Sequence, residues 1–296
     1  MASTPESQAL SPAISIDELI NPCPTREILL KMINQDDVST VSAVEKIVVL
    51  TKAASQTDTL SGHANIVTAT LIALAKRIPH DKQSKLVEFT VRLGQTTVPD
   101  PTEGGELCFH AGITKIPFWS GMPEFSEHLS TEWLRNSRVT HRSRLGNLDY
   151  ANLVAFYAQL ANVKFRNLHY DSSWDNPQLR QMYNKTSLSS QDVRVACMWF
   201  IHSPRKAWAD IHITSDDGSH PKLWRAWKRH FREYQFSDDG SDAELQICVA
   251  RALDNMNKTE AELEINGSVP FVWRNRGKGS YSSPSDLIRS IEKLGF

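Results

Sequence analysis

Long apolar runs, charge of one sign, clustered cysteines and glycine-rich loops are all scarce in this chain, and each scarcity removes a class of function. No apolar run in the 296 residues approaches the roughly 20 residues that a membrane-spanning helix needs. Thirty-three basic against 34 acidic residues leave a net charge of −1, which offers no general attraction to nucleic acid or an anionic membrane. The four cysteines, Cys23, Cys108, Cys197 and Cys248, are scattered, with no Cys-x-x-Cys pair and no zinc spacing. Cys197 and Cys248 fall inside helical apolar patterns and read as reduced core residues. The opening MASTPESQALSPAIS lacks the basic and apolar regions of a signal peptide. A cytoplasmic location is therefore expected, and the glycosylation triplets at Asn184, Asn257 and Asn266 read as chance.

Motifs for metal and cofactors are equally thin. Ten histidines are present, yet none forms a His-x-x-x-His or Glu-x-x-His pair, the spacings that aim two ligands from one helix face. His63, His80, His128 and His230 lie in unrelated contexts, and His202 and His212 are separated by Pro204 and an expected loop. Gly104 and Gly105 lack the following lysine and helix of a phosphate loop, and Gly277 and Gly279 follow no apolar strand. No Gly-x-Ser-x-Gly elbow marks a hydrolase. No metal, nucleotide or flavin is expected, and the cofactor expectation is none.

What the chain does contain is helical periodicity. Residues 1–15 read as a disordered leader and 16–296 as a single helical domain, with a possible internal boundary at 95–121. Early helices are expected over 25–33, from Ser39 through Leu50, over 65–77 and over 82–93. The β-branched content of IVVL and NIVTATLI also suits strands, but no alternation supports them. From Gln95 to Gly121 proline and glycine make the chain irregular, a loop that packs over something. A helix starting at Ser120 or Met122 then runs through Phe125, Leu129 and Trp133. Further helices are expected over 148–160, 189–201 (Ser189 as cap, Asp192 in the first turn), 221–235 (Pro221 in the first turn), 242–256 and 285–294. The expected class is all-α, a bundle-like multi-helix array with Trp-rich helices in its middle and C-terminal parts.

Aromatics recur on single faces of these helices. Leu153, Phe156, Tyr157 and Leu160 share one stripe, Val195, Trp199 and His202 another, and Trp224, Trp227, Phe231 and Tyr234 a third. Such faces line either a solid core or a pocket for an apolar small molecule. The segment KLWRAWKRHFRE adds Lys222, Arg225, Arg229 and Arg232, a pattern that can grip phosphates or sit on a membrane. The acidic stretch 237–244 follows at once, so an amphipathic helix with a solvated charged face outweighs that reading. His202 and Asn152 each stand about one turn from an aromatic, and a buried polar group needs a partner, from the protein or from a ligand. His169 and Tyr170, with the segment 171–174, form a polar-aromatic loop that either closes a pocket mouth or is an ordinary turn.

Four segments carry a resemblance: REILLKMINQDDVSTVSAVEKIV, IPFWSGMPEFSEHLSTEWL, DYANLVAFYAQLA and PKLWRAWKRHFREYQF. Together they resemble a family of fungal cytosolic proteins catalogued as a domain of unknown function, whose members are often encoded in or near secondary-metabolite gene clusters. The resemblance implies an all-helical fold and a role beside natural-product enzymes. It carries no catalytic residue over.

The first expectation is a cofactor-independent enzyme that cyclises (cycloaddition, Diels–Alder type) or isomerises an apolar polyketide or terpenoid intermediate. Orienting such a substrate recovers part of the roughly 7–11 kcal/mol available from a near-attack geometry. Trp119, Trp133, Phe156, Trp199 and Trp227 are the expected pocket walls. His202, His169, Asn152 and Tyr234 are the expected catalytic groups, histidine being able to act as acid or base near neutral pH. The alternative is a non-catalytic small-molecule-binding or scaffold protein with the same aromatics as solid core. A nucleic-acid or membrane-surface binder using 222–232 ranks third. No nucleic acid, membrane or metal is expected as a partner, and the oligomeric state stays open.

Overall fold

In the computed structural model the described residues are 23–57, 59–101, 104–111, 114–122, 124–125, 127–129, 131–132, 148–163, 188–213, 220–235 and 242–265. The expected leader, the helix over 285–294, the loop around 169–174 and residue Trp133 lie outside them. The chain forms two compact units, divided between His169 and Tyr170, so that the segment 95–121 falls inside the first.

The first unit is built on α1 (Pro24–Asn34), α2 (Thr40–Gln56), α3 (Leu60–Arg77), α4 (Ser84–Gly94) and α5 (Leu148–Asn162). Local chemistry sets most of these ends. Pro24 begins α1, where its missing N–H costs nothing. The Ser39 hydroxyl caps α2 by accepting the Ser42 N–H at 3.1 Å. A short 3₁₀ turn, His80–Lys82, separates α3 from α4 and follows Pro79, which cannot continue a helix. Leu29, Met32, Ile47, Leu71, Phe89 and Phe156 are fully buried or nearly so, each from the apolar stripe of its helix. Where the sequence suggests a start at residue 65, α3 begins at Leu60. Polar Ser61, Gly62 and His63 hide that first turn from a hydropathy pattern.

The irregular stretch contains a two-stranded antiparallel hairpin, β1 (Cys108–Ala111) with β2 (Thr114–Pro117), in register Phe109 opposite Ile116. It is the fold's departure from a purely helical expectation; among the described residues helix otherwise dominates. Before it, Gly104 and Gly105 adopt positive φ (69° and 85°), a region glycine enters without steric cost. After it comes a tight turn at Gly121, where a Cβ would sit 2.4 Å from the Phe109 ring. Residues 125, 127–129 and 131–132 are helical, as expected after Met122.

The second unit comprises α6 (Ser190–His202), α7 (Pro204–Ile213), α8 (His220–Gln235) and α9 (Ala243–Ile265). A complete capping box starts α6: the Ser189 hydroxyl accepts the Asp192 N–H, and the Asp192 carboxylate accepts the Ser189 N–H. Pro204 ends α6 and opens α7, so a helix stands where a loop was expected before His212. α6 packs chiefly on α9. Residues Val193 to Ile201 are all buried, which marks α6 as a central helix rather than a one-faced one.

Candidate functional site

The second unit gathers its aromatics around Phe200. Its ring meets Trp224 edge-on (centroids 5.3 Å, 74°) and Phe231 edge-on (5.4 Å, 84°), and lies 6.1 Å from Trp227. Trp208 from α7 adds an edge contact to Trp224 at 4.7 Å. These separations are the favoured ones for aromatic pairs. Helical spacing explains the assembly: Trp224, Trp227 and Phe231 sit three and four residues apart and share one face of α8.

Two polar atoms within this set are unusual. The indole N–H groups of Trp224 and Trp227 are buried and find no hydrogen-bond acceptor among the described residues, in side chains 1% and 0% exposed. The Ser203 hydroxyl, just beyond α6 and fully buried, is in the same state. A buried donor without a partner forfeits about 1–3 kcal/mol, so three in one unit call for an explanation.

Electrostatics around the set are structural. Arg194 on α6 is almost wholly buried and ion-pairs with Asp242. Asp242 also accepts the Leu245 N–H at 3.0 Å, capping α9. Lys228 pairs with Glu260 at 2.6 Å. Arg225, Arg229 and Arg232 lie on the exposed side of α8, away from the buried Trp224, Trp227 and Phe231. That is the arrangement of an amphipathic helix with a solvated charged face. Burial pushes the Cys197 thiol well above its ordinary range, the neighbouring Cys248 adding to the rise and Arg194 opposing it. Cys248 is raised by burial as well. Neither is a nucleophile in this state.

The expected site residues scatter over this framework. Trp227 joins the Phe200 set. Trp199 is buried on α6, and His202 is half-buried at the helix end. Tyr234 donates its hydroxyl proton to Ser190 at 3.1 Å. Trp119 and Phe156 are buried in the first unit, the former bonded through its indole N–H to Thr51 at 3.1 Å. Asn152 belongs to a scaffold network: its carbonyl accepts the His80 N–H and its amide donates to the Lys76 carbonyl, both at 3.1 Å. Trp133 and His169 lie outside the described residues. Phe200, Trp208, Trp224 and Phe231 are the members that sequence reasoning missed as site residues. The stripe drawn through Val195, Trp199 and His202 treats α6 as one-sided, whereas it is buried all round.

Among the described residues no group of three or more His, Cys, Asp or Glu side chains is placed to hold a metal ion, and no helix is long and apolar enough to cross a membrane.

A family model described as "Protein of unknown function (DUF3632)" matches residues 69–231, more than half of the chain. The chain belongs to this family. No curated protein and no solved structure matches the chain. The family segment runs from within α3 to Phe231 on α8, so it includes Asn152, Trp119, Phe200, Trp224 and Trp227. The last turn of α8, with Tyr234, lies beyond it.

Proposed function

We propose that this family member binds an apolar, carbonyl-bearing small molecule in its second unit and, as a cofactor-independent enzyme of natural-product biosynthesis, cyclises or isomerises it. The observation carrying this reading is the pair of buried indole donors on Trp224 and Trp227 with no acceptor among the described residues. An acceptor oxygen on a guest supplies what these donors lack, while the rings of Phe200, Trp208 and Phe231 suit its apolar body. Donors that wait unpaired in a dry site act where negative charge develops on that oxygen, as in ring closure onto an enone or migration of a double bond. His202 is the proposed proton carrier of this unit. A polyketide or terpenoid substrate, a fungal source, neighbouring natural-product genes and a cytoplasmic location belong to the same proposal and rest on the resemblance of the four segments quoted above.

The ring packing itself favours a second reading. Edge-to-face contacts around Phe200 and the complete burial of Trp227 also describe a solid core, in which case the protein is a non-catalytic binder or scaffold.

A thermal-shift screen against polyketide and terpenoid enones, with product analysis of each stabilising compound, separates the two. The enzyme reading expects stabilisation and conversion faster than in buffer, with both effects reduced in Trp227→Phe. That variant keeps an aromatic ring and removes one donor. Stabilisation without conversion selects the binder. A panel without any stabilising compound, or an undiminished response in Trp224→Phe and Trp227→Phe alike, overturns the proposal.

A further inference from the structure

The second unit holds two thiols that its aromatic set does not use. Cys197 on α6 and Cys248 on α9 are free, 0% and 6% exposed, on the two helices that form the main contact of this unit. Polar contacts at both ends of that interface fix its register. Near the start of α6, Arg194 ion-pairs with Asp242 and stands 4.0 Å from Glu244. Near its end, the Asn255 amide donates to the Phe200 and Ile201 carbonyls at 3.3 and 2.9 Å. The contacts advance in the same direction along both helices, and Cys197 and Cys248 each fall between them.

Helical geometry then brings the two thiols face to face. At 3.6 residues per turn, Glu244, Cys248 and Asn255 stand within about 40° of one another around α9, and Arg194, Cys197 and Ile201 within about 60° around α6. Gln246, whose amide reaches the Tyr234 carbonyl on α8, is on the opposite side of α9 from Cys248. At 1.5 Å per residue, Cys197 is about 4.5 Å past Arg194 and Cys248 about 6 Å past Glu244, so both stand at nearly one level. Helices packed at about 8–10 Å leave facing Cα atoms roughly 4–6 Å apart. That separation overlaps the span of about 4.4–6.8 Å that a disulfide bridges.

We infer that Cys197 and Cys248 are a modification site, a dithiol that a peroxide oxidant closes to a reversible disulfide tying α6 to α9. Nothing in the proposed role of the aromatic rings is needed for it. In the reduced protein burial holds both thiols protonated. At Cys197 the nearby Cys248 adds to the rise and Arg194 opposes it; at Cys248 Arg194 and Arg251 oppose burial, while Glu244 and Asp242 reinforce it. Closure is accordingly slow, and the Arg194 guanidinium is the group that favours a transient thiolate at either sulfur. Cys248, the less buried of the two, meets the oxidant. Cys197 needs to meet only Cys248.

In the first step Cys248 gives up its proton and its sulfur attacks one oxygen of hydrogen peroxide. An S–O bond forms, the O–O bond breaks, and the departing hydroxide takes up a proton as water. In the second step Cys197, losing its proton, attacks the Cys248 sulfur. An S–S bond forms, the S–O bond breaks, and the hydroxide leaves as a second water. Two thiols lose two electrons, and one peroxide is reduced to two waters. Dithiothreitol reverses the change by exchange, its own thiols becoming the disulfide.

The test uses the full chain, reduced with dithiothreitol, freed of it and exposed to hydrogen peroxide, with remaining thiols blocked in denaturant and the peptides mapped by mass spectrometry. The peptides of Cys197 and Cys248 should appear joined, two hydrogen masses lighter than the separate thiols, and dithiothreitol should release them. The same oxidation in urea should spread bonds over the three pairings that four cysteines allow, making this one about threefold rarer. The bonded protein should melt at least about 5 °C above the dithiol. In Cys197→Ala the oxidation should stop at a Cys248 sulfenic acid, trapped by dimedone, and the wild type should trap little. Both thiols intact when Cys23 and Cys108 are already oxidised overturns the inference. So does a sulfinic acid at Cys248 without the bond, no enrichment over urea, or a bonded form that melts no higher. Mapping of the unaltered chain decides the pairing even if Cys197→Ala fails to fold.

Discussion

Replacing Asn152 by alanine tests whether this residue serves the scaffold or a substrate. Its side chain closes the end of α3: the amide donates to the Lys76 carbonyl, one of the last carbonyls of that helix, and the oxygen takes the His80 N–H. The backbone carbonyl of Asn152 accepts from Gln83, whose amide nitrogen also reaches the Ala75 and Ile78 carbonyls at 2.8 and 3.0 Å. Gln159 completes the set by donating to the Gln83 side-chain oxygen at 2.9 Å. The carbonyls at a helix end have no partner within the helix, and here the side-chain amides of Asn152 and Gln83 supply them, with Gln159 holding Gln83 in place.

Asn152→Ala orphans one donor and one acceptor, at about 1–3 kcal/mol each when fully buried. Asn152 is only half-buried, so water recovers part, and about 2–3 kcal/mol is the expected loss. For a unit of this size that lowers Tm by roughly 5–10 °C. Gln83 is 0% exposed, and no water can replace it. Gln83→Ala should therefore cost more than Asn152→Ala, about 4 kcal/mol, from the Ala75 and Ile78 carbonyls and one Gln159 N–H deprived of their partner in a site closed to water. Thermal melts by circular dichroism measure both. A Tm for Asn152→Ala within about 1 °C of wild type, or the reverse ranking of the two variants, refutes the scaffold assignment. Loss of turnover at an unchanged Tm would return Asn152 to the catalytic group.

Three further outcomes are expected. Burial lowers the imidazole pKa of His63, so that below pH 6.5 the unfolded chain takes a proton which the folded chain does not. Stability from this group is complete above pH 6.5 and falls as pH drops from there to the folded pKa, then levels; in urea titrations His63→Gln should flatten that slope. Asp242→Ala removes both a cap of α9 and the partner of buried Arg194, and should lower stability by about 3–5 kcal/mol. Asp242→Asn, which keeps an acceptor for the Leu245 N–H, should lose less, and equal losses would place the whole effect on the ion pair. In thiol titration of the native protein, half-buried Cys23 and Cys108 should react first, Cys248 slowly, and Cys197 only on unfolding. Rapid labelling of Cys197 would contradict its burial.

The helices were legible because their signals are local. Ser39 and Ser189 with Asp192 each sit at the end that their own chemistry dictates, and the apolar spacing of α4 and α8 reads directly as one buried face. The hairpin was not legible, since β1 and β2 are four residues each, too short for alternation to rise above the surrounding proline and glycine. α6 misled in a different way. A helix buried on every side has no stripe to read, so the choice of Trp199 over Phe200 as the inward aromatic had no physical basis in the pattern.

Site chemistry was less legible still, and the reason is one of distance along the chain. Trp227 could be placed on an inward face, but whether its N–H finds an acceptor depends on residues from other helices. His63 shows the same limit from the opposite side. Its hydrogen-bond partner Thr51 and ring neighbour Trp119 are 12 and 56 residues away in sequence, and none of the three belongs to a recognisable motif. Of the histidines that could be ranked by sequence, His202 gained its place from a neighbouring tryptophan on the same helix. His63 meets a tryptophan that only the fold brings to it, a contact that no periodicity within its own helix could announce.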